Sequence, residues 1–296
     1  MTSIAHPCLA SEEHFSRALQ ELVVRSGGES CLERVTAPTD DGAQSASSQL
    51  ATVDGAYRLA QLPIYVTHAP YLAQRRRAIM SRLRGLNASD VTIVKCGNRD
   101  EIEKLPAELR ACLYSPTYNP FDKGKRTIAN GTLSLALKHR LAYWDLTRRK
   151  LGAALLLEDD ASVPSNLWSR LRAFAIPTDA DIFYLGSYQG LTNWNVLKWD
   201  PVVPGTSPHV HRRSCKSKGR VNKHFGTIAY IVFERAAHSM LRSVRVAADS
   251  GLSAMNCSSG CSFCADTPSR QYGPASWLIA PDRRVVGAGN THRDGR

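Results

Sequence analysis

Apolar positions along the chain fall into two kinds of block that alternate through most of the sequence. Unbroken β-branched or aromatic runs read as buried strands, and repeats at three- or four-residue spacing read as helices with one apolar side. The first strand is Leu62-Pro63-Ile64-Tyr65-Val66-Thr67. A helix over residues 71–86 follows, with Leu72, Ile79, Leu83 and Leu86 along one side and Arg75, Arg76 and Arg77 near its middle. Val91-Thr92-Ile93-Val94 is the next strand, and residues 114–126, with two prolines, read as a long loop. Leu133, Leu135, Leu137, Leu141, Trp144 and Leu146 predict a helix over residues 131–150 that feeds the apolar strand 153–157.

Beyond that strand, Ser162 and Pro164 make a helix start, predicting a helix over 164–174 and a strand over 182–186. Residues 187–225 are irregular and too long for a simple connection, and read as a loop over the site. A strand over 227–233 and a helix over 234–244 resume the pattern. Alternation of this kind predicts an α/β fold with a mostly parallel sheet flanked by helices, its ligands bound at the carboxyl ends of the strands. Residues 1–60 stand before this body as a leader, with one amphipathic helix over 11–25 and a polar linker over 36–49. The expected division is therefore a leader over 1–60 and one α/β domain over 61–296.

With 296 residues, 43% of them hydrophobic, the chain has apolar material for one sizeable core. It contains no stretch near the roughly 20 apolar residues of a bilayer span and no basic-then-apolar leader. A soluble cytoplasmic protein is expected, or one of an endomembrane lumen if the sequence is a processed form. Residues 1–60 carry four Lys or Arg against eight Asp or Glu, so of a chain charge of +12 the body carries thirty-four against eighteen, or +16. A basic body suits an anionic partner: a nucleotide diphosphate, a phosphorylated acceptor or an anionic membrane surface. Nucleic acid is the weaker candidate, because no interleaved aromatic and basic motif accompanies the charge. The basic positions Arg212, Arg213, Lys216, Lys218, Arg220 and Lys223 read either as an anion-attracting loop or as a solvated one. Trp194 and Trp199 read as sugar-stacking rings or as loop anchors.

Eight cysteines, Cys8, Cys31, Cys96, Cys112, Cys215, Cys257, Cys261 and Cys264, are too scattered to resemble a disulfide framework. Cys257, Cys261 and Cys264, with Cys215, His209 or His211, have ligand chemistry but lack the two clear pairs of a zinc site. For these three clustered cysteines a disulfide is a second reading, and ordinary thiols are the expected state.

The chemistry concentrates where strand 153–157 ends in Glu158-Asp159-Asp160. Three adjacent anions repel one another, and a hard divalent cation, Mn²⁺ or Mg²⁺, relieves that repulsion. Such an ion bridges the phosphates of a sugar nucleotide and neutralises a departing diphosphate as a Lewis acid. If the strand continued through the triplet, successive carboxylates would point to different sides, so one or two would bind metal while another orients a hydroxyl. The competing reading places the acids at the positive end of the next helix, which favours them by about 0.3–1 kcal/mol. That accounts for one acid, not three.

Ala154-Leu155-Leu156-Leu157-Glu158-Asp159-Asp160, followed by Asp181-Ile182-Phe183-Tyr184-Leu185-Gly186, resembles glycosyltransferase family 25, which includes lipooligosaccharide and collagen galactosyltransferases. In the same order, Ile64-Tyr65-Val66 with Arg75 to Arg77 is similar to the family's opening strand and Arg-containing helix. Leu133 to His139 lies where the family has a Ser-His segment, and Thr227 to Ile231 with Ala236 and Ala237 is similar to a later strand and helix. The resemblance spans about residues 62–285. It lacks the family's Gly-Cys before Ser-His, and the leader and the Cys257–Cys264 segment have no counterpart.

The resemblance implies a GT-A, Rossmann-like nucleotide-diphospho-sugar transferase fold, a UDP-sugar donor (UDP-galactose foremost) and inversion at the anomeric carbon. The acceptor is a hydroxyl of a glycan, a lipid-linked sugar or a protein. Asp159 and Asp160 become the expected metal ligands, and Glu158, Asp159, Lys138 and His139 the expected donor-binding residues. Lys138 is read as meeting a phosphate, and His139 as a site residue or a packed histidine. Inversion needs a base at the acceptor hydroxyl, for which Asp249, in Ala247-Ala248-Asp249, comes first and Asp266 second. An isolated loop aspartate is also a turn former. Competing classes are a non-catalytic binding or adhesion protein on this fold and a basic nucleic-acid binder.

Overall fold

The computed structural model describes residues 12–36, 50–53, 56–59, 61–106, 130–186, 199–202, 210–213, 228–242, 271–274 and 279–281. Six helices lie among them: α1 (Glu12–Arg25), α2 (Ala73–Gly85), α3 (Arg99–Lys104), α4 (Asn130–Arg149), α5 (Leu167–Ala173) and α6 (Glu234–Arg242). The strands are β1 (Leu32–Thr36), β2 (Leu50–Val53), β3 (Ala56–Leu59), β4 (Ile64–Thr67), β5 (Asp90–Val94), β6 (Ala153–Glu158) and β7 (Ala161–Ser162). They continue with β8 (Ile176–Pro177), β9 (Ile182–Gly186), β10 (Trp199–Val202), β11 (Val210–Arg213), β12 (Ala229–Phe233), β13 (Gln271–Pro274) and β14 (Ala280–Pro281).

Nine described strands form one sheet in the order β1-β5-β4-β6-β12-β9-β13-β11-β10. Only β4–β5, β4–β6 and β9–β13 pair in parallel. Thus the fold is α/β with a mixed central sheet flanked by helices, not the mostly parallel sheet expected. The reason is physical: apolar runs identify strands but carry no information on direction, and β12 enters antiparallel between β6 and β9.

Strand β6 is the spine, with all six residues buried. Its side chains alternate between two cores. Ala154 and Leu156 pack with α1, α4 and α6 through Leu19, Leu22, Leu137, Leu141 and Ala237. Leu155 and Leu157 pack on the other face with α2 and α5 through Ile79, Leu83, Leu167 and Leu171. A unbroken apolar run is what a strand covered on both faces requires. At the end of β9, Gly186 passes so close to Ile279 that a Cβ would lie 2.2 Å from the Ile279 carbonyl oxygen, so only glycine fits.

Part of the leader belongs to this body. Ala18, Leu19 and Leu22 of α1 are core residues, and β1 pairs antiparallel with β5 as an edge of the central sheet. Charged Glu33 and Arg34 interrupt the apolar run of β1, which is why it does not read as a strand. At this edge Glu33 meets Arg76 and Lys95. Cys31, just before β1, and Cys96, just after β5, form a disulfide with Cα atoms 4.8 Å apart. The scatter of cysteines along the chain gave no sign of this pair, which sheet topology brings together across 65 residues.

Residues 187–225 also differ from a simple loop, since β10 and β11 extend the sheet within them. The linker over 37–49, the loop over 114–126, Trp194, Cys215, Cys257, Cys261 and Cys264 lie outside the described residues. Among the described residues no helix is long and apolar enough to cross a membrane.

Candidate functional site

Strands β5, β4 and β6 lie side by side in that order and run parallel. The connection from β4 to β5 carries α2 on one face, and the connection from β5 to β6 carries α3 and α4 on the other. Connections leaving in opposite directions open a crevice between the carboxyl ends of β4 and β6, the place where such sheets bind ligands. Thr67 and His68 stand at the end of β4, and Glu158, Asp159 and Asp160 at the end of β6.

The chain does not continue as a strand through the acids. After Glu158, whose N–H donates to the Ile228 carbonyl at 2.9 Å, it turns at Asp159 and Asp160. Instead of pointing apart, these two carboxylates converge. Arg75 Nη1, from the first turn of α2, lies 3.2 Å from Asp159 Oδ1 and 3.3 Å from Asp160 Oδ2. The second Asp159 oxygen is 2.8 Å from His68 Nδ1. Glu158, Asp159 and Asp160 are 9%, 6% and 2% exposed, so their charges are set against these partners rather than against bulk water.

A further cation approaches from α4. Lys138 is 3% exposed, and its Nζ donates to Asn98 Oδ1 and Ser134 Oγ, each at 2.8 Å. Burial pushes its pKa down to about 8, while the charges of Glu101 and Asp159 pull the other way. Asn98 is held in turn by the start of α3, where its N–H donates to Glu101 Oε2 at 2.9 Å in a capping box.

His139, the next residue on α4, is fully buried in the core rather than among the acids. Its Nδ1 is 2.7 Å from the Tyr230 hydroxyl, which also meets the Tyr143 hydroxyl, and the His139 and Tyr230 rings stack at 5.6 Å. Burial, followed by the Lys138 charge, pushes its pKa down to about 3 and keeps it neutral. The structure thus gathers Lys138, Glu158, Asp159 and Asp160 and directs His139 into a tyrosine network. Asp249 and Asp266 lie outside the described residues.

Sequence reasoning missed His68 and Asn98 and saw Arg75 only as a helix residue. Two signals were available: a histidine directly after a buried strand, and the Asn98-x-x-Glu101 start signature after another.

The residues can be weighed against a divalent cation by their donors. Among the described residues no three His, Cys, Asp or Glu side chains form a metal cluster. Two hard carboxylates do converge on one cationic point, and Mg²⁺-like ions are commonly held by one or two carboxylates completed by substrate phosphates. Two carboxylates are fewer than the oxygen set such an ion takes, so the remaining ligands would have to come from a bound molecule. In comparison with known proteins, no family model matches the chain and no curated protein matches it. The architecture defines a mixed α/β protein with a charged crevice at a topological switch point.

Proposed function

We propose that the chain is a glycosyltransferase of the GT-A type, moving a sugar from a nucleotide-diphosphate donor, UDP-galactose foremost, onto a hydroxyl of a glycan, lipid-linked or protein acceptor with inversion. The observation that carries this reading is the convergence of Asp159 and Asp160 on one cationic point at the crevice between β4 and β6. Asp159 and Asp160 would hold Mn²⁺ or Mg²⁺, which supplies neutralising charge to a departing diphosphate. Arg75 and Lys138 add fixed positive charge beside the same group, and Asp159 keeps His68 oriented through Nδ1. Asp249 and Asp266 are retained as base candidates from the resemblance alone. Of the two compartments expected, the Cys31–Cys96 bridge favours an oxidising lumen.

Hydrolysis of a panel of sugar nucleotides, with and without Mn²⁺, tests this reading. One donor is turned over with Mn²⁺ and much less without it, and Asp160→Ala loses that activity. A protein that turns over no donor, or an Asp160→Ala variant equal to wild type, defeats it.

Lys138 adds a pH signature. Its folded pKa of about 8 lies below the ordinary 10.5, so it is charged below about pH 8 and neutral above. Its contribution to stability is full above 10.5 and is lost as pH falls through about 8, whereas its attraction for an anion runs the opposite way. UDP affinity is expected to fall by up to about tenfold from pH 7 to 9, and Lys138→Gln to lower affinity at pH 7 and flatten this slope. Titration calorimetry at several pH values measures both.

A further inference from the structure

A second hollow, of about 690 Å³, lies between α1, β1 and the last two turns of α4. A smaller one of about 380 Å³ adjoins it along Gln20, Trp144 and Arg148, which line both, so the two form one groove. Charge at this groove is unbalanced around one carboxylate. Asp145 is fully buried, and its Oδ1 faces two guanidiniums, Arg148 Nη2 at 3.1 Å and Arg34 Nη2 at 3.8 Å. Its Oδ2 accepts from the Tyr65 hydroxyl at 2.8 Å and lies 3.5 Å from Arg149, which has Asp90 as a further partner at 2.7 Å. Arg34 and Arg148 therefore share a single negative charge. Both line the groove, with side chains 52% and 57% exposed. The Arg34 side chain makes no hydrogen bond to another described residue, because 3.8 Å is an ion-pair separation only. A surplus guanidinium with open donors beside a groove attracts an anion.

We propose that this groove binds a sugar carrying a phosphate or sulfate ester, with the ester oxygens on Arg34 and Arg148 and the sugar ring against Trp144. A tetrahedral oxyanion offers several oxygens, so it accepts from two guanidiniums at once and brings the second negative charge that Asp145 alone does not supply. What lies beside the guanidiniums specifies the ring. Arg148 sits over the Trp144 indole, its Cζ 4.9 Å from the ring centroid, so an ester held by Arg148 sets its sugar beside that indole. Trp144 is partly buried against the core and its Nε1 donates to Ser16 Oγ at 3.1 Å, which makes the indole a fixed wall. A pyranose has an apolar C–H side for this wall and hydroxyls for the exposed Gln20 amide where the two hollows meet. A stacked nucleobase is disfavoured, because Arg148 already covers one indole face. The groove shares no residue with the crevice between β4 and β6, so this inference stands independently of the donor reading.

The test is calorimetric titration of the phosphate and sulfate monoesters of glucose and galactose into the full chain, beside the free sugars and inorganic phosphate, with and without UDP. Wild type is compared with Arg34→Gln, with Gln20→Glu, which sets an opposing charge on the exposed face of α1, and with Arg25→Gln, whose pairing with Glu21 lies outside the groove. Circular dichroism checks that each variant is folded. At least one ester is expected to saturate wild type and to bind about tenfold or more tightly than its free sugar or inorganic phosphate. The tighter of the phosphate and sulfate esters identifies the anion. Arg34→Gln and Gln20→Glu weaken that binding by about tenfold or more, and Arg25→Gln changes it by less than about twofold. UDP leaves it unchanged, because the crevice is a separate site. Absence of saturable ester binding overturns the proposal, as does undiminished binding by folded Arg34→Gln and Gln20→Glu. Displacement by UDP, or inorganic phosphate bound as tightly as the esters, also overturns it. So does a single-stranded oligonucleotide bound through Arg34 where no ester binds, which assigns the groove to nucleic acid instead.

Discussion

Asp159→Ala is expected to lower sugar-nucleotide turnover by about 100-fold or more and to destabilise the fold as well. Three roles end together. The carboxylate is one of the two that converge on the cation point, it holds Arg75 through Oδ1, and it orients His68 through Oδ2. Removing one preorganised charge contact from a reacting site commonly costs about 10²–10³ in rate. Loss of the buried acceptor also leaves His68 and Arg75 short of a partner, at a cost to stability of about 1–3 kcal/mol. Asp159→Asn separates the two effects, because its amide oxygen still accepts a hydrogen bond from His68 while its negative charge is gone. Turnover falls nearly as far as in the alanine variant, and the melting temperature falls by less than in that variant, because His68 keeps its acceptor while Arg75 still loses its Asp159 contact. A kinetic assay beside a thermal melt of each variant checks this pair of outcomes.

The second large effect lies at the edge of the sheet. Replacing Cys31 and Cys96 by serine is expected to lower unfolding free energy by about 2–4 kcal/mol, read from urea denaturation. The bridge closes a loop across a separation of 65 residues, and in the chain-entropy account such a closure removes much of the freedom of the unfolded chain. It also fixes β1, an edge strand, to β5, reinforcing the bond from Lys95 N–H to the Cys31 carbonyl at 2.9 Å. Wild type in reductant should match the double variant, and reductant should leave that variant unchanged. Because Cys96 is two residues before Asn98, loosening this turn also slackens the acceptor that holds Lys138.

How much of this was legible in the sequence depends on the range of each interaction. Strand β6 and its acids stood out because a run buried on both faces ends abruptly in charge, and that contrast is local. The helices α2 and α4 were recognisable because their apolar positions repeat over several turns. Strand direction was not legible, nor was β1, whose Glu33 and Arg34 serve an edge rather than a core. Helix α3 is six residues long, too short for a period, and its Asn98-x-x-Glu101 start signature was passed over. Within the site, the triplet was evident but its partners were not. His68 and Arg75 meet Asp159 across 91 and 84 residues, and only the strand order β5-β4-β6 brings them there. His139 was ambiguous because one helix carries Lys138 toward the crevice and its neighbour into the core, a rotation of about 100° per residue that composition does not reveal.

The central claim, that the acidic turn after β6 is a cation-dependent donor site, is tested most directly by titrating UDP-galactose and related sugar nucleotides into wild type and Asp160→Ala, with Mn²⁺ present or replaced by a chelator. The account predicts saturable binding of at least one sugar nucleotide to wild type in Mn²⁺, weakened by about tenfold or more by the chelator and by Asp160→Ala. Binding that is indifferent to both changes, or no binding of any sugar nucleotide, would contradict it.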